Sequence, residues 1–248
     1  CGARVVTYGI SSRADLRAKV LSETIDGTRF RVFDGSRDFV IENKLVGRHN
    51  VCNALAAIGL ARAVGVDADV IARGLADVRE IPGRLQRLAG IEGIDVFVDY
   101  AHTPDALANV ARVLRPFARG RLVIVFGCGG DRDRGKRPLM AQAAAEHGDV
   151  LVITSDNPRT EDPRRIIDEI VAGLDVSARR RSAIEPDRRA AIHCALAGAH
   201  DGDVVLIAGK GHETYQIVGS ERRDFDDAAF AIEAAVASGR AAEKGSVH

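Results

Sequence analysis

Tryptophan is absent from this 248-residue chain, aromatic residues make up only 4% of it, and there is a single methionine. A stacking platform for single-stranded nucleic acid needs aromatic faces, so that class is excluded. Charge of one sign is also lacking: 35 Lys and Arg balance 35 Asp and Glu. No net field therefore draws nucleic acid or an anionic membrane. No uninterrupted apolar run reaches membrane-spanning length, and no signal-peptide pattern opens the sequence. The four cysteines (Cys1, Cys52, Cys128, Cys194) show neither CxxC pairing nor zinc spacing. They read as reduced thiols of a cytoplasmic protein, and no metal-ligand set is read from the chain. The dinucleotide fingerprint GxGxxG and the phosphate loop GxxxxGK[ST] are both missing, which makes an oxidoreductase a poor reading.

What remains is 46% hydrophobic and 28% charged residues, the composition of a soluble globular protein with room for one large core or two modest ones. The chain starts with Cys1, inside what reads as a sheet, so a fragment of a longer protein is expected. Residues Arg4 to Tyr8, Lys19 to Ile25, Arg29 to Phe33 and Asp38 to Ile41 read as strands, with turns at Asp26-Gly27 and Asp34-Gly35. Helical spacing takes over from Asn50, where Val51, Leu55, Ile58 and Ala61 share a face. A second helix is expected from about Asp67 to Val78, capped by Asp67 or Asp69. Ile81-Pro82-Gly83 then breaks the pattern and divides the chain into 1–82 and 83–248.

Beyond that break, strands and helices alternate. The apolar runs Val96–Tyr100, Leu122–Phe126, Val150–Thr154 and Val204–Ala208 read as buried parallel strands. Helices are expected over Pro104–Leu114, Arg137–His147, Pro163–Leu174 and Asp187–Ala197, then a hairpin turning at Gly219-Ser220 and a final alanine-rich helix. A mostly parallel, doubly wound α/β sheet follows from the alternation.

Loops at the carboxyl ends of such strands are where open α/β sheets place ligands. Gly127 to Arg137 carries glycines beside Asp131, Arg132, Asp133, Arg134, Lys136 and Arg137; Ser155 to Asp162 carries Asp156, Asn157 and Arg159 around Pro158; Gly209 to Gln216 carries Gly209 and Glu213. Arg132 and Arg159 can each clamp a carboxylate in bidentate fashion, and Asp156 and Glu213 can each take an ammonium, so the three loops suit a zwitterionic ligand. Three further groups stand apart. Asn50 and Asn53 lie at a helix start, where they meet a polar ligand or simply cap the helix. Arg84 at the linker either grips a phosphate or is a surface guanidinium. Asp99, Tyr100 and His102 follow a strand, where a histidine is a helix-start hydrogen-bonder or a catalyst. No residue is singled out as catalytic.

The ordered segments GRHNVCNALAA, PGR, VDYAHTPDAL, VFGCGGDRDRGKRPLM, TSDNPRTEDP and AGKGHETYQ closely resemble the Mur ligases, from about Val46 to Asp227. Within that family they are similar to the UDP-N-acetylmuramoyl-tripeptide synthetases that add meso-diaminopimelate in peptidoglycan synthesis. The resemblance implies a fragment: the back part of a central ATPase-type domain over 1–82, then a Rossmann-like amino-acid-binding domain over 83–248. It places the phosphate loop, a carbamylated lysine and most magnesium ligands upstream of Cys1. It implies ATP as co-substrate with Mg2+, a UDP-N-acetylmuramoyl dipeptide and meso-diaminopimelate as partners, and a cytoplasmic monomer that is inactive as this fragment alone. It assigns Arg132, Asp156, Asn157, Pro158, Arg159, Gly209 and Glu213 to diaminopimelate, and Asn50, Arg84, Asp99, Tyr100 and His102 to ATP. The alternatives are another ligase of the superfamily, such as folylpolyglutamate synthetase, or a non-catalytic amino-acid-binding module.

Overall fold

The structure is a computed structural model, and it describes residues 5–10, 13–35 and 37–242. Of the sequence readings, Arg4, Cys1 and the end of the C-terminal tail lie outside the described residues. The chain divides into two compact units, Cys1–Ile81 and Pro82–His248.

In the first unit, strands β1 (Tyr8–Gly9), β2 (Leu16–Thr24), β3 (Gly27–Phe33) and β4 (Asp38–Asn43) form one sheet in that order. β1 runs parallel to β2, and the others pair antiparallel. Alternation puts Leu16, Ala18, Phe30, Val32 and Ile41 on one face. Helices α1 (Arg48–Ala63) and α2 (Ala68–Asp77) cover that face with Val51, Leu55, Ile58 and Ile71. Each fully buried Leu, Ile or Phe contributes about 1.5–3 kcal/mol to holding these layers together.

Three local expectations change here. β2 begins at Leu16, ahead of the expected Lys19, because the small Ala18 is buried and gives little apolar signal. α1 begins at Arg48 with Gly47 at its N-cap, so Asn50 lies inside the first turn and does not cap it. Asp67 occupies the N-cap of α2 but accepts no capping hydrogen bond through its side chain.

In the second unit, the strands are β5 (Gln86–Arg87), β6 (Asp95–Asp99), β7 (Leu122–Phe126), β8 (Val150–Ile153), β9 (Ser182–Ile184) and β10 (Val204–Ala208). They form one sheet in the order β5-β6-β10-β7-β8-β9, parallel except for β5. All five residues of β7 and all five of β10 are buried, as central parallel strands covered on both faces require. The helices are α3 (Pro104–Leu114), α4 (Lys136–His147), α5 (Pro163–Val171), α6 (Val176–Arg180), α7 (Arg188–Ala197) and α8 (Asp227–Ala237). Val96, Val98, Val123, Val125, Val205 and Ile207 pack against alanine-rich α7 and α8. The alternate residues of the same strands turn to the face on which α3 packs against β10 and α4, and α4 against α5. A hairpin of β11 (Tyr215–Val218) and β12 (Glu221–Asp224) joins β10 to α8.

The short β5, β9 and α6 are too brief for periodicity to reveal. α5 stops at Val171, short of the expected Leu174. Gly173 there lies so close to α4 that an added Cβ would sit 2.2 Å from the Pro138 carbonyl oxygen. Among the described residues no helix is long and apolar enough to cross a membrane.

Candidate functional site

β10 returns to the middle of the sheet after β9, and its outgoing loop leads to α8, whereas the loops after β6 and β7 lead to α3 and α4. That reversal marks the carboxyl ends of β7, β8 and β10 as the topological position at which α/β sheets hold ligands. The three charged loops of the sequence meet there.

The loop after β8 is held in one strained conformation. Arg159 has φ 51°, a left-handed value that a residue with a Cβ adopts at a cost of about 1–3 kcal/mol. The hairpin compensates: Arg159 N–H donates to Ile217 O at 3.0 Å, and Gly219 N–H donates to Arg159 O at 2.6 Å. So directed, Arg159 Nη1 reaches Gly130 O at 2.6 Å, while Gly130 N–H donates to Asn157 O at 2.9 Å. A Cβ at Gly129 would lie 3.0 Å from Arg159 Nη1 and 3.7 Å from Arg132 Cγ, so both arginine side chains flank this glycine. Asp156 and Asn157 are buried behind them, and Gln216 Nε2 donates to Asp156 O at 2.7 Å. An added Cβ at Gly209, whose φ is 117°, would sit 2.7 Å from Asp156 Oδ2, which places the loop after β10 against this carboxylate. Asn157 Nδ2 donates to Glu213 Oε2 at 2.9 Å, and buried Lys210 donates to Asn157 Oδ1 and Glu213 Oε2, both at 3.2 Å.

Two buried arginines support this arrangement: Arg137, which the sequence places among the charges of the first loop, and Arg188. Arg137 is not a loop residue facing ligand: it lies in the first turn of α4, fully buried. It donates to Glu161 at 2.9 and 2.8 Å and to Glu169 at 2.7 Å, and at 3.3 Å to Gly129 O. Arg188, also fully buried, pairs bidentately with Asp227 at 2.7 Å and donates to Ser155 O at 3.3 Å and Ala208 O at 3.0 Å. It thereby ties Ala208, the last residue of β10, to Ser155, two residues beyond the end of β8. The sequence signal for Lys210 was its place between two glycines; Arg137 and Arg188 carry no local signal, since nothing in the flanking residues distinguishes a buried arginine from a surface one.

Within the second unit, Arg84, Asp99, Tyr100 and His102 form a second group beside the first. Arg84 lies with its Cζ 4.7 Å from the Tyr100 ring centroid, and the rings of His102 and His212 lie 4.5 and 5.3 Å from it. His102 Nδ1 is 2.8 Å from Tyr100 O, the helix-start contact that the sequence allows. Asp99 faces inward: its carboxylate accepts Leu85 N–H at 2.7 Å and Ala101 N–H at 2.8 Å, and so fixes the segment that carries Arg84. Asn50 belongs to the first unit, where it is buried and donates through Nδ2 to Val46 O at 2.8 Å.

Electrostatics follow from these contacts. Burial, added to by nearby Asp156 and opposed by Lys136 and Arg137, pushes the Cys128 thiol up to about 12, so it is neutral and no nucleophile near neutral pH. The Arg137 hydrogen bond, with Asp131 N–H, draws Glu161 down from 4.5 to about 2; Glu169 is lowered as well, chiefly by Arg134. Because the folded value lies below the unfolded one, the Glu161 contribution to stability is complete above pH 4.5 and is lost as pH falls toward 2. Glu161→Gln is therefore expected to lower stability at pH 7 and to flatten its fall between those limits. Urea unfolding across that pH range measures both, and an unaltered slope would refute the assignment.

Comparison with known proteins gives this geometry a context. A family profile described as "Mur ligase, glutamate ligase domain" matches residues 83–211, and one described as "Mur ligase middle domain" matches residues 1–61. A protein of Syntrophomonas wolfei named UDP-N-acetylmuramoyl-L-alanyl-D-glutamate--2,6-diaminopimelate ligase is 48% identical over 92% of this chain and 46% of its own length. A solved structure with the same name is 40% identical, with TM-score 0.68, over 94% of this chain and 48% of that one. Folylpolyglutamate synthase from Thermotoga maritima, at 22% identity and TM-score 0.62 over 79% of this chain and 44% of its own, shares the fold alone. The chain spans about half the length of the curated relatives it matches. With a profile covering more than half of its residues and the ordered loops of that profile gathered on one sheet rim, the chain belongs to the Mur ligase family.

Proposed function

We propose that this chain is part of an ATP-dependent ligase that joins meso-diaminopimelate to UDP-N-acetylmuramoyl-L-alanyl-D-glutamate in cytoplasmic peptidoglycan synthesis. Residues 1–82 are then the later part of its central, ATP-binding domain, and 83–248 the amino-acid-binding domain. The observation that carries this reading is that the Arg159 guanidinium and the Arg132 side-chain stem both flank Gly129, with Asp156 buried on the neighbouring loop. Two cationic forks beside a carboxylate complement a ligand with carboxylates and ammonium groups at its ends.

In the reaction, the dipeptide carboxylate takes the γ-phosphoryl group of ATP and releases ADP. The amine of diaminopimelate then attacks the acyl carbon; phosphate leaves and the nitrogen loses its proton, giving the amide. The chain contributes placement. Arg159 and Arg132 hold carboxylates of the amino acid, Asp156 and Glu213 receive ammonium, Asn157 and Pro158 keep the loop in shape, and Gly209 admits the ligand close to the backbone. Arg84, with Tyr100 and His102, forms a stacked cationic face suited to a nucleotide, and Asp99 anchors it; Asn50, within the first unit, is a separate ATP-binding candidate. Among the described residues no group of three or more His, Cys, Asp or Glu side chains is disposed to hold a metal, and none of them is assigned to the magnesium that the family implies.

Lysine lacks the distal carboxylate, so binding it would desolvate a guanidinium without a partner. Calorimetric titration of this chain is expected to show saturable binding of meso-diaminopimelate and none of L-lysine. Arg159→Ala should weaken the former by roughly 10- to 100-fold, the value of one charge-assisted hydrogen-bond pair. Equal binding of lysine would overturn the assignment.

A further inference from the structure

Among the described residues three cations are fully buried at or just beneath the sheet rim, Arg137, Arg188 and Lys210. Arg137 is paired with Glu161 and Glu169. Arg188 has the dedicated carboxylate of Asp227 beneath the loops. Lys210 instead spends its charge on groups of the rim itself: Asn157 Oδ1 and Glu213 Oε2, each 3.2 Å from Nζ, with the Tyr215 ring centroid at 5.5 Å. A buried ammonium is costly unless paired and hydrogen-bonded, so this arrangement serves something.

Its chemistry shows what. An asparagine amide has a donating and an accepting end, and left to itself it turns either way; lysine is a donor only. Lys210 can therefore face only Oδ1, an orientation it reinforces together with the donor-only N–H of Ile217, and Asn157 Nδ2 is left to Glu213 Oε2 at 2.9 Å. The oriented Oδ1 also accepts Ile217 N–H at 2.9 Å, and Ile217 O in turn accepts the N–H of Arg159 at 3.0 Å. A chain of contacts thus runs from the lysine to the strained arginine. We propose that Lys210 is the positioning residue of the amino-acid site: it fixes the amide orientation of Asn157 and the rotamer of Glu213, and through Ile217 it sets the position of Arg159. It touches no reacting atom. The inference rests on the reading above only for the identity of the ligand.

Amide hydrogen exchange tests the positioning role without any ligand. Lys210→Met keeps most of the volume and removes the donor. Exchange at Ile217 and Arg159 should then quicken about tenfold, a normal coupling between contacting groups. The amides of Leu122–Phe126 should stay as they are. If the uncompensated Glu213 carboxylate prevents that variant from folding, Lys210→Met with Glu213→Gln removes the charge, still offers Asn157 Oδ1 no lysine donor, and should show the same faster exchange at Ile217. Unchanged exchange at Ile217, or a rise shared equally by the Leu122–Phe126 strand, overturns the proposal. Where wild type binds meso-diaminopimelate, Lys210→Met should weaken binding by about the same factor; faster exchange with unaltered affinity would also overturn it. Failure of the wild type to bind would count against the ligand assignment and leave the exchange result to decide on Lys210.

Discussion

Arg188→Met is expected to destabilise the second unit by about 3–5 kcal/mol, the cost of stranding a buried charge. Asp227 is fully buried, and the guanidinium supplies both of its side-chain hydrogen bonds at 2.7 Å. In a domain of this size such a loss lowers the melting temperature by roughly 6–20 °C. Adding Asp227→Leu removes the stranded carboxylate and should recover part of the loss. Full recovery is not expected, because Arg188 also serves the carbonyls of Ser155 and Ala208. A buried carbonyl without a donor costs about 1–3 kcal/mol. Urea unfolding of wild type, the single variant and the pair separates the two contributions. Full recovery in the pair would mean that the carbonyl contacts contribute nothing, and an undisturbed single variant would refute the ion pair as a structural element.

The carbonyl contacts matter for function as well as stability. Ser155 and Ala208 are the last fixed points before Asp156 and Gly209, so Arg188 holds the roots of two of the three loops at a set spacing. Arg137 does the same for the third, through Gly129 O, Glu161 and Glu169. Beneath the polar rim lies a layer of buried, fully charged anchors, and the rim inherits its rigidity from them.

How far the sequence reveals this depends on the range of the interaction. Leu122–Phe126, Val204–Ala208 and Pro104–Leu114 are read to the residue, since a run of buried β-branched side chains or a Thr-Pro start is a local signal. The loops are legible for the same reason: glycines and charges follow each strand. What escapes is whatever depends on a distant partner. Arg188 reads as a surface residue of α7 until Asp227, 39 positions away, is brought to it. Lys210 reads as one more charge on a loop until Asn157, 53 positions away, caps it. The left-handed φ of Arg159 escapes because the position holds an arginine and not the glycine that marks such a conformation, and the hairpin that compensates the strain comes some sixty residues later. The capping alternative for Asn50 fails for a local reason: Gly47 takes the N-cap, and the asparagine turns inward to donate to Val46 O.

Gly130→Ala is expected to have the largest effect on amino-acid binding of any single methyl group added to this chain. The new Cβ would lie 1.9 Å from Pro158 O, well inside contact distance, and the atom it meets is backbone. Neither side can yield by rotating a side chain. Gly130 N–H is bonded to Asn157 O and Gly130 O to Arg159, so the two loops must part beside Gly129, which both arginine side chains flank. A displacement of about 1 Å at a positioned group costs on the order of 100-fold in binding or turnover. Stability should fall by only about 1–3 kcal/mol, as for other overpacked sites. Gly74→Ala serves as the control: it lies within α2 with nothing within 4 Å of the added Cβ, and should gain about 0.5–1 kcal/mol while leaving affinity alone. Calorimetry with meso-diaminopimelate on both variants, with melting curves alongside, distinguishes a displaced site from an unfolded one. A Gly130→Ala protein that melts normally and binds normally would show that the contact between these two loops does not shape the site.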